Sequence, residues 1–169
     1  MSHTLDETDR KILDLLQRDA RMTNAAIAAE VGLTAPSVFE RIRKLEQRGV
    51  IRGYRVDVDP AALGRPLTAF IRLTVASDEK NEAGIRAIRR DPDVLECYHV
   101  AGEDCYILKT RASDPGELEA LLARLRKQMN IQRSVTMIAL SVIKEGAPLN
   151  TLPPPSALPA NHKSSRKRK

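Results

Sequence analysis

The sequence predicts an α+β chain in two parts, a three-helix N-terminal third closed by a short strand and then a β-α-β-β-α-β unit. Three observations carry this. Apolar residues recur at helical spacing as far as residue 50, strict alternation takes over at Leu67, and the two periods then exchange in a fixed order as far as Ile143. A length of 169 residues suits two small domains. The expected boundaries are 1–60, 61–146 and a tail over 147–169.

The first helix, about Glu7 to Arg18, turns Ile12, Leu13 and Leu16 inward with Leu5 leading in. The second, about Asn24 to Glu30, takes Thr23 or Asn24 as N-cap and buries Ile27, Ala28 and Val31. Val31-Gly32-Leu33-Thr34 then supplies a glycine turn and a threonine cap, the short connection of a helix-turn-helix. In the third helix Val38, Ile42 and Leu45 fall at i, i+4, i+7, while Ser37, Glu40, Arg41, Lys44 and Arg48 share the opposite face. Gly49 stops that helix where a C′ glycine is expected. Ile51 to Val58 alternates and reads as a strand, a wing, ended by Pro60.

Leu67, Ala69, Ile71, Leu73 and Val75 alternate with Thr68, Phe70, Arg72 and Thr74, the pattern of a half-buried strand. Residues 79–90 read as a helix with Ile85 and Ile88 inward. Val94 to Val100 and Asp104 to Arg111 read as a hairpin turning near Gly102-Glu103. Asp114-Pro115 opens a helix with proline at N1, and Leu118, Leu121, Leu122, Leu125 and Met129 form its stripe. Ser134 to Ile143 is the last strand. The order is that of a ferredoxin-like domain. The last strand carries apolar residues on both faces, Val135, Met137 and Ala139 on one and Ile138, Leu140 and Val142 on the other. Two helices cover one face of such a sheet; a second copy of the sheet is the simplest cover for the other.

The net charge of +6 is unevenly spread. Residues 1–60 hold ten basic and ten acidic residues, and 61–146 hold thirteen and twelve. The tail holds Lys163, Arg166, Lys167, Arg168 and Lys169 with no acid. A nearly neutral body makes the local patch at 34–55, six basic residues against two acidic ones, the informative one. A short basic helix with a buried back and a polar front fits the DNA major groove. A charged helix face is more often merely solvated, so charge pattern by itself does not decide. The tail, with Pro148, Pro153, Pro154, Pro155 and Pro159, is expected without structure. It is either a solubilising end or a phosphate contact.

Other function classes find little support. No apolar run approaches the roughly 18 to 20 residues needed to cross a bilayer, and the polar, acidic start MSHTLDETDRK is unlike a signal peptide, so a cytoplasmic chain is expected. Cys97 and Cys105 have neither metal-ligand spacing nor facing register, so no disulfide and no metal are expected. No Ser/His/Asp, paired-carboxylate or phosphate-loop arrangement appears, and no catalytic residue or cofactor is assigned.

Three stretches in order, LDETDRKILDLLQRDAR, AAIAAEVGLTAPSVFERIRKLEQRGVIRGYRV and VAGEDCYILKTRA, resemble the leucine-responsive (Lrp/AsnC, feast/famine) family of prokaryotic transcription regulators. The resemblance covers about residues 5–146. It implies a winged helix-turn-helix, a ferredoxin-like ligand-sensing domain, dimers that often assemble into tetramers or octamers, and amino-acid effectors. It places DNA-facing positions at Thr34, Pro36, Ser37, Glu40, Arg41 and Lys44, with double-stranded DNA as the partner in the nucleoid. It places the effector site between ferredoxin-like domains, at Gly102, Glu103, Asp104, Cys105 and Tyr106 of the hairpin and at Thr136, Met137, Ile138 and Ala139 of the last strand. The chain departs from the family's usual G-D-F-D-Y, since Cys105 stands where an acid commonly precedes the tyrosine. Cys105 itself reads as a small buried hydrophobe. Two rival readings remain: an architectural DNA-compacting protein without a ligand switch, and an enzyme similar to the siroheme decarboxylases, for which the isolated His99 would be the candidate ligand.

Overall fold

The computed structural model describes residues 5–76 and 80–151. His3, His162, the prolines from Pro153 onward, the basic cluster Lys163 to Lys169 and the expected start of the second-domain helix at residue 79 lie outside them. The described residues form two compact units. One comprises the chain up to Arg55 together with the segment from Gly146, and the other is Val56–Glu145.

The first unit is three helices. Helix α1, Glu7–Arg18, begins where the Asp6 carboxylate accepts from the Asp9 backbone N–H at 2.7 Å. Helix α2, Asn24–Val31, is capped by Thr23 and ends at Gly32, whose φ of 69° is the left-handed conformation a β-carbon resists. Helix α3, Ala35–Gln47, starts from the Thr34 cap with Pro36 in its first turn, and Gly49 turns the chain beyond its end. Ile12, Ile27, Ala28 and Val38 are buried at the centre, ringed by Leu15, Leu16, Met22, Val31, Leu33 and Ile42. Leu15 takes the place expected for Leu13, because it lies one turn from Ile12 on the same side.

One expectation fails here. Residues 51–58 form no strand. Alternation supplies the faces of a strand but not its neighbour, and among the described residues no strand pairs with this segment; Val56 is left 85% exposed. Of the expected tail, residues 147–151 are described; they form no helix or strand, and two of them are hydrogen-bonded to α1. The Gln17 side chain donates to the Leu149 carbonyl at 3.1 Å and accepts from the Leu149 N–H at 2.7 Å, and Arg10 donates to the Thr151 carbonyl at 2.6 Å.

The second unit is a four-stranded antiparallel sheet with spatial order β2-β3-β1-β4. Its elements are β1 (Leu67–Val75), α4 (Lys80–Arg90), β2 (Val94–His99), β3 (Tyr106–Ala112), α5 (Pro115–Gln128) and β4 (Ile131–Ile138). Ile71, Leu73, Leu108 and Tyr106 pack from the sheet against Ile88, Leu121, Leu125 and Met129. The last strand starts and stops earlier than the expected Ser134–Ile143. Ile131 already pairs with Val75, and beyond Ala139, whose N–H reaches the Thr68 carbonyl at 2.9 Å, β1 has almost no chain left to pair. Leu140 and Ile143 are consequently exposed. On the sheet face away from the helices, Phe70, Tyr98 and Met137 stand partly exposed beside Lys109 and Arg111.

Gly84 explains how α4 and α5 approach. A β-carbon there would lie 2.5 Å from the Met129 β-carbon, which is rooted in the backbone and cannot swing away. Gly84→Ala should gain about 1 kcal/mol of helix propensity yet lose about 1–3 kcal/mol to overpacking. A lower urea midpoint is the expected outcome.

Candidate nucleic-acid interface and effector site

Helix α3 displays its polar face because Val38 and Leu45 are held in the core beneath it. At its N-terminus the Thr34 and Ser37 hydroxyls lie 2.9 Å apart, and both residues are exposed. Pro36, Ser37, Glu40, Arg41, Lys44 and Arg48 line one open groove of about 540 Å³, with Asp9 at its edge. Five of the six sequence-assigned positions thus share a groove, and the sixth, Thr34, caps its helix.

The side chains in that groove are not equivalent. Arg41 is held: its Nη1 donates to Asp6 Oδ2 and to Asp9 Oδ1, both at 2.7 Å, tying the helix to the start of α1. Glu40 is occupied by Arg43 at 2.7 Å. Lys44 forms no ion pair among the described residues and is exposed. The Arg48 Nε atom is buried with no hydrogen-bond partner among the described residues. Beyond the helix, Tyr54 donates its hydroxyl to Glu46 at 2.9 Å, which ties the following segment to α3. Asp6 and Asp9 are the residues that sequence reasoning missed. LDETD signals a helix cap, but nothing local signals that it also meets a guanidinium more than thirty residues away.

In the second unit the hairpin turns at Gly102, with φ of 147°. Asp104 is buried and receives the Arg72 Nε at 2.5 Å, so its carboxylate is already engaged. Cys105 packs against the core, its N–H bonded to the Leu73 carbonyl at 2.8 Å. Tyr106 is buried and stacks on His99 with ring centres 5.0 Å apart. Glu103 is exposed. Tyr106 pairs with Leu73 on one side of β1, while Thr136, Met137 and Ile138 pair with Ile71, Phe70 and Ala69 on the other. A single copy therefore does not bring the two groups of assigned effector residues together.

Sequence models of two families match, one described as winged helix-turn-helix DNA-binding over residues 5–52 and one as Lrp/AsnC ligand binding domain over 68–149. A regulator named AldR from Mycobacterium tuberculosis is 36% identical over 148 residues, covering 86% of this chain and 83% of its own. The chain belongs to the Lrp/AsnC family of transcription regulators. A leucine-responsive regulatory protein of Haemophilus influenzae is 33% identical, covering 83% of this Lrp/AsnC chain and 87% of its own. A transcriptional regulator of Neisseria meningitidis, solved in complex with L-Met, superimposes with a TM-score of 0.81 at 30% identity, covering 86% of this chain and 96% of that one. The relatives named so far are all transcription regulators, and no described helix is long and apolar enough to cross a membrane.

The Asp6–Arg41 contact has a pH signature. The Asp9 backbone N–H, and next the Arg41 guanidinium, hold the Asp6 carboxyl below its ordinary range. A depressed carboxyl contributes stability above its unfolded value, roughly pH 3.9, and loses it as pH falls through the folded value. Asp6→Asn keeps a capping oxygen but removes the charge. The urea midpoint of the wild type should fall more steeply below about pH 4 than that of the variant.

Proposed function

We propose that this regulator reads double-stranded DNA with the exposed flank of α3 and does so as a symmetric oligomer. What carries the reading is the groove itself: Pro36, Ser37, Glu40, Arg41 and Lys44 lie along one exposed flank of a rigidly backed helix. Thr34 and Ser37 meet phosphate at the helix N-terminus, where hydroxyls and backbone N–H groups favour anions. Lys44, without an ion pair among the described residues, contacts a base edge or phosphate. Arg41 serves first as the tie to α1 and presents only its remaining N–H groups to DNA. The partly exposed sheet face with Phe70 and Met137 supports pairing with a second copy. That pairing would set half-sites about one helical turn (roughly 10–10.5 bp) or a multiple apart. The protein acts in the cytoplasm, at the nucleoid, and not as an enzyme.

The effector is an amino acid or a closely related small molecule, bound where the hairpin of one copy meets β4 of another. The L-Met complex of the Neisseria relative supports the ligand class. Gly102 allows the backbone to approach a carboxylate, and Glu103 is the exposed acid of the hairpin for an α-ammonium group. Asp104 is not available for that role while Arg72 holds it.

Two measurements test these assignments. On a site selected from random duplex DNA, Lys44→Ala should lose about tenfold in affinity, or about 1.4 kcal/mol, with unchanged thermal stability and oligomer size. Arg41→Ala should lose both affinity and about 1–2 kcal/mol of stability, since Asp9 is left buried without its partner. Wild-type affinity in Lys44→Ala would remove α3 from the reading face. For the effector, a thermal-shift screen of the amino acids should find one that stabilises the protein and loses its effect in Glu103→Ala; an equal shift in that variant would reassign the ammonium contact.

A further inference from the structure

Two arginines line the groove on α3, and the fold holds them in opposite ways. Arg41 is gripped by Asp6 and Asp9, and its withdrawal would leave the nearly buried Asp9 carboxylate without that partner. Arg48 forms no ion pair among the described residues, and its Nε–H lies buried with no acceptor among them. A donor in that state has given up its hydration and gained nothing in return. Arg48 is also the C-cap residue of α3, its backbone N–H bonded to the Lys44 carbonyl at 3.0 Å, so its side chain moves from a fixed root. Swinging that side chain outward breaks no described ion pair and frees Nε to hydrogen-bond. Swinging Arg41 outward does the reverse.

We infer that Arg48 is the guanidinium this regulator commits to DNA, and that it takes a backbone phosphate on the wall of the major groove opposite the one met by Thr34 and Ser37. Position decides phosphate over base. Arg48 follows Ser37 by eleven residues, a rise of about 16–17 Å along the helix, against a major groove about 12 Å wide. With Thr34 and Ser37 on one backbone, Lys44 lies over the groove floor and Arg48 reaches the other backbone. Phosphate contacts at both ends fix the register of α3 and leave sequence reading to the residues between them. A guanidinium suits this task because its planar fork matches two phosphate oxygens. The inference rests on the DNA-reading assignment above and adds to it a residue and a contact of its own.

The experiment compares full-length wild type, Arg48→Met, Arg48→Lys and Lys44→Ala on one selected duplex and on a scrambled one across a salt series. Each phosphate neutralised contributes about 0.9 to the slope of log affinity against log salt, so Arg48→Met should flatten that slope by about as much per bound chain. It should weaken the selected and the scrambled duplex by the same factor, about tenfold, because a phosphate contact carries no sequence information. Arg48→Lys retains a point charge and should keep most of the wild-type slope. The thermal midpoint of free Arg48→Met should equal or exceed that of wild type, since the substitution deletes an unpaired buried donor. An unchanged slope in Arg48→Met would overturn the contact, and a loss confined to the selected duplex would overturn the choice of phosphate. A lowered midpoint with the wild-type slope would reduce Arg48 to a charge capping the helix C-terminus. Lys44→Ala separates this from the reading face itself. Affinity lost there while Arg48→Met binds like wild type removes Arg48 alone, and wild-type affinity in both removes α3.

Discussion

Strand β1 is the constraint to which the second unit is registered. It hydrogen-bonds β3 on one side and β4 on the other, and its inward residues Ala69, Ile71 and Leu73 are fully buried. Its finite length explains why β4 ends where it does and why Leu140 to Ile143 are left outside the ladder. It also sets a separation. The hairpin is aligned with the Leu73 end of β1, and Ala139 with the Thr68 end, about 17 Å away at strand spacing and across the strand. On the proposed reading a second sheet completes the ligand site, and the open face with Phe70 and Met137 offers somewhere for it to dock.

The first unit is governed by a different trade. Arg41 stands on the face where an arginine would best read guanine, yet two carboxylates already hold one of its terminal nitrogens. Asp9 is nearly buried, so releasing Arg41 to DNA would strand a charge with little water to solvate it. The geometry therefore favours an arginine that fixes the angle of the helix while Lys44 and the Thr34–Ser37 hydroxyls face outward. Glu40 is likewise spent on Arg43. A face that looks uniformly basic in sequence is a mixture of tied and free groups.

That difference marks what the sequence could reveal. Periodicity placed α1, α2, α3 and α5 closely, because each has a cap residue and an apolar stripe that local chemistry specifies. The sheet order followed from the same alternation. What the pattern left out depended on partners remote in sequence: Ile51–Val58 has strand faces but no neighbouring strand, β4 stops because β1 does, and Leu149–Thr151 follows α1 through hydrogen bonds to Gln17 and Arg10 that no pattern announces. The site divides in the same way. Helical spacing put Ser37, Glu40, Arg41 and Lys44 on one flank, whereas the pairing of Arg41 with Asp6 and Asp9, and of Asp104 with Arg72, required the folded chain.

The Asp104–Arg72 pair bears directly on how a signal would be sensed. With Cys105 packed inward and Asp104 neutralised, the hairpin offers an incoming ammonium one exposed carboxylate, Glu103, at the turn. A site built on this turn residue is, on the proposed reading, completed when another copy closes over it. On the proposed reading, ligand affinity and subunit arrangement are then one linked equilibrium: whatever arrangement closes Glu103 against β4 of its neighbour is the arrangement the ligand favours. Reading helices carried by that arrangement change their spacing with it. A regulator so built would need no conformational path through the interior of a subunit, because on this reading the ligand and the DNA both act on how copies are placed.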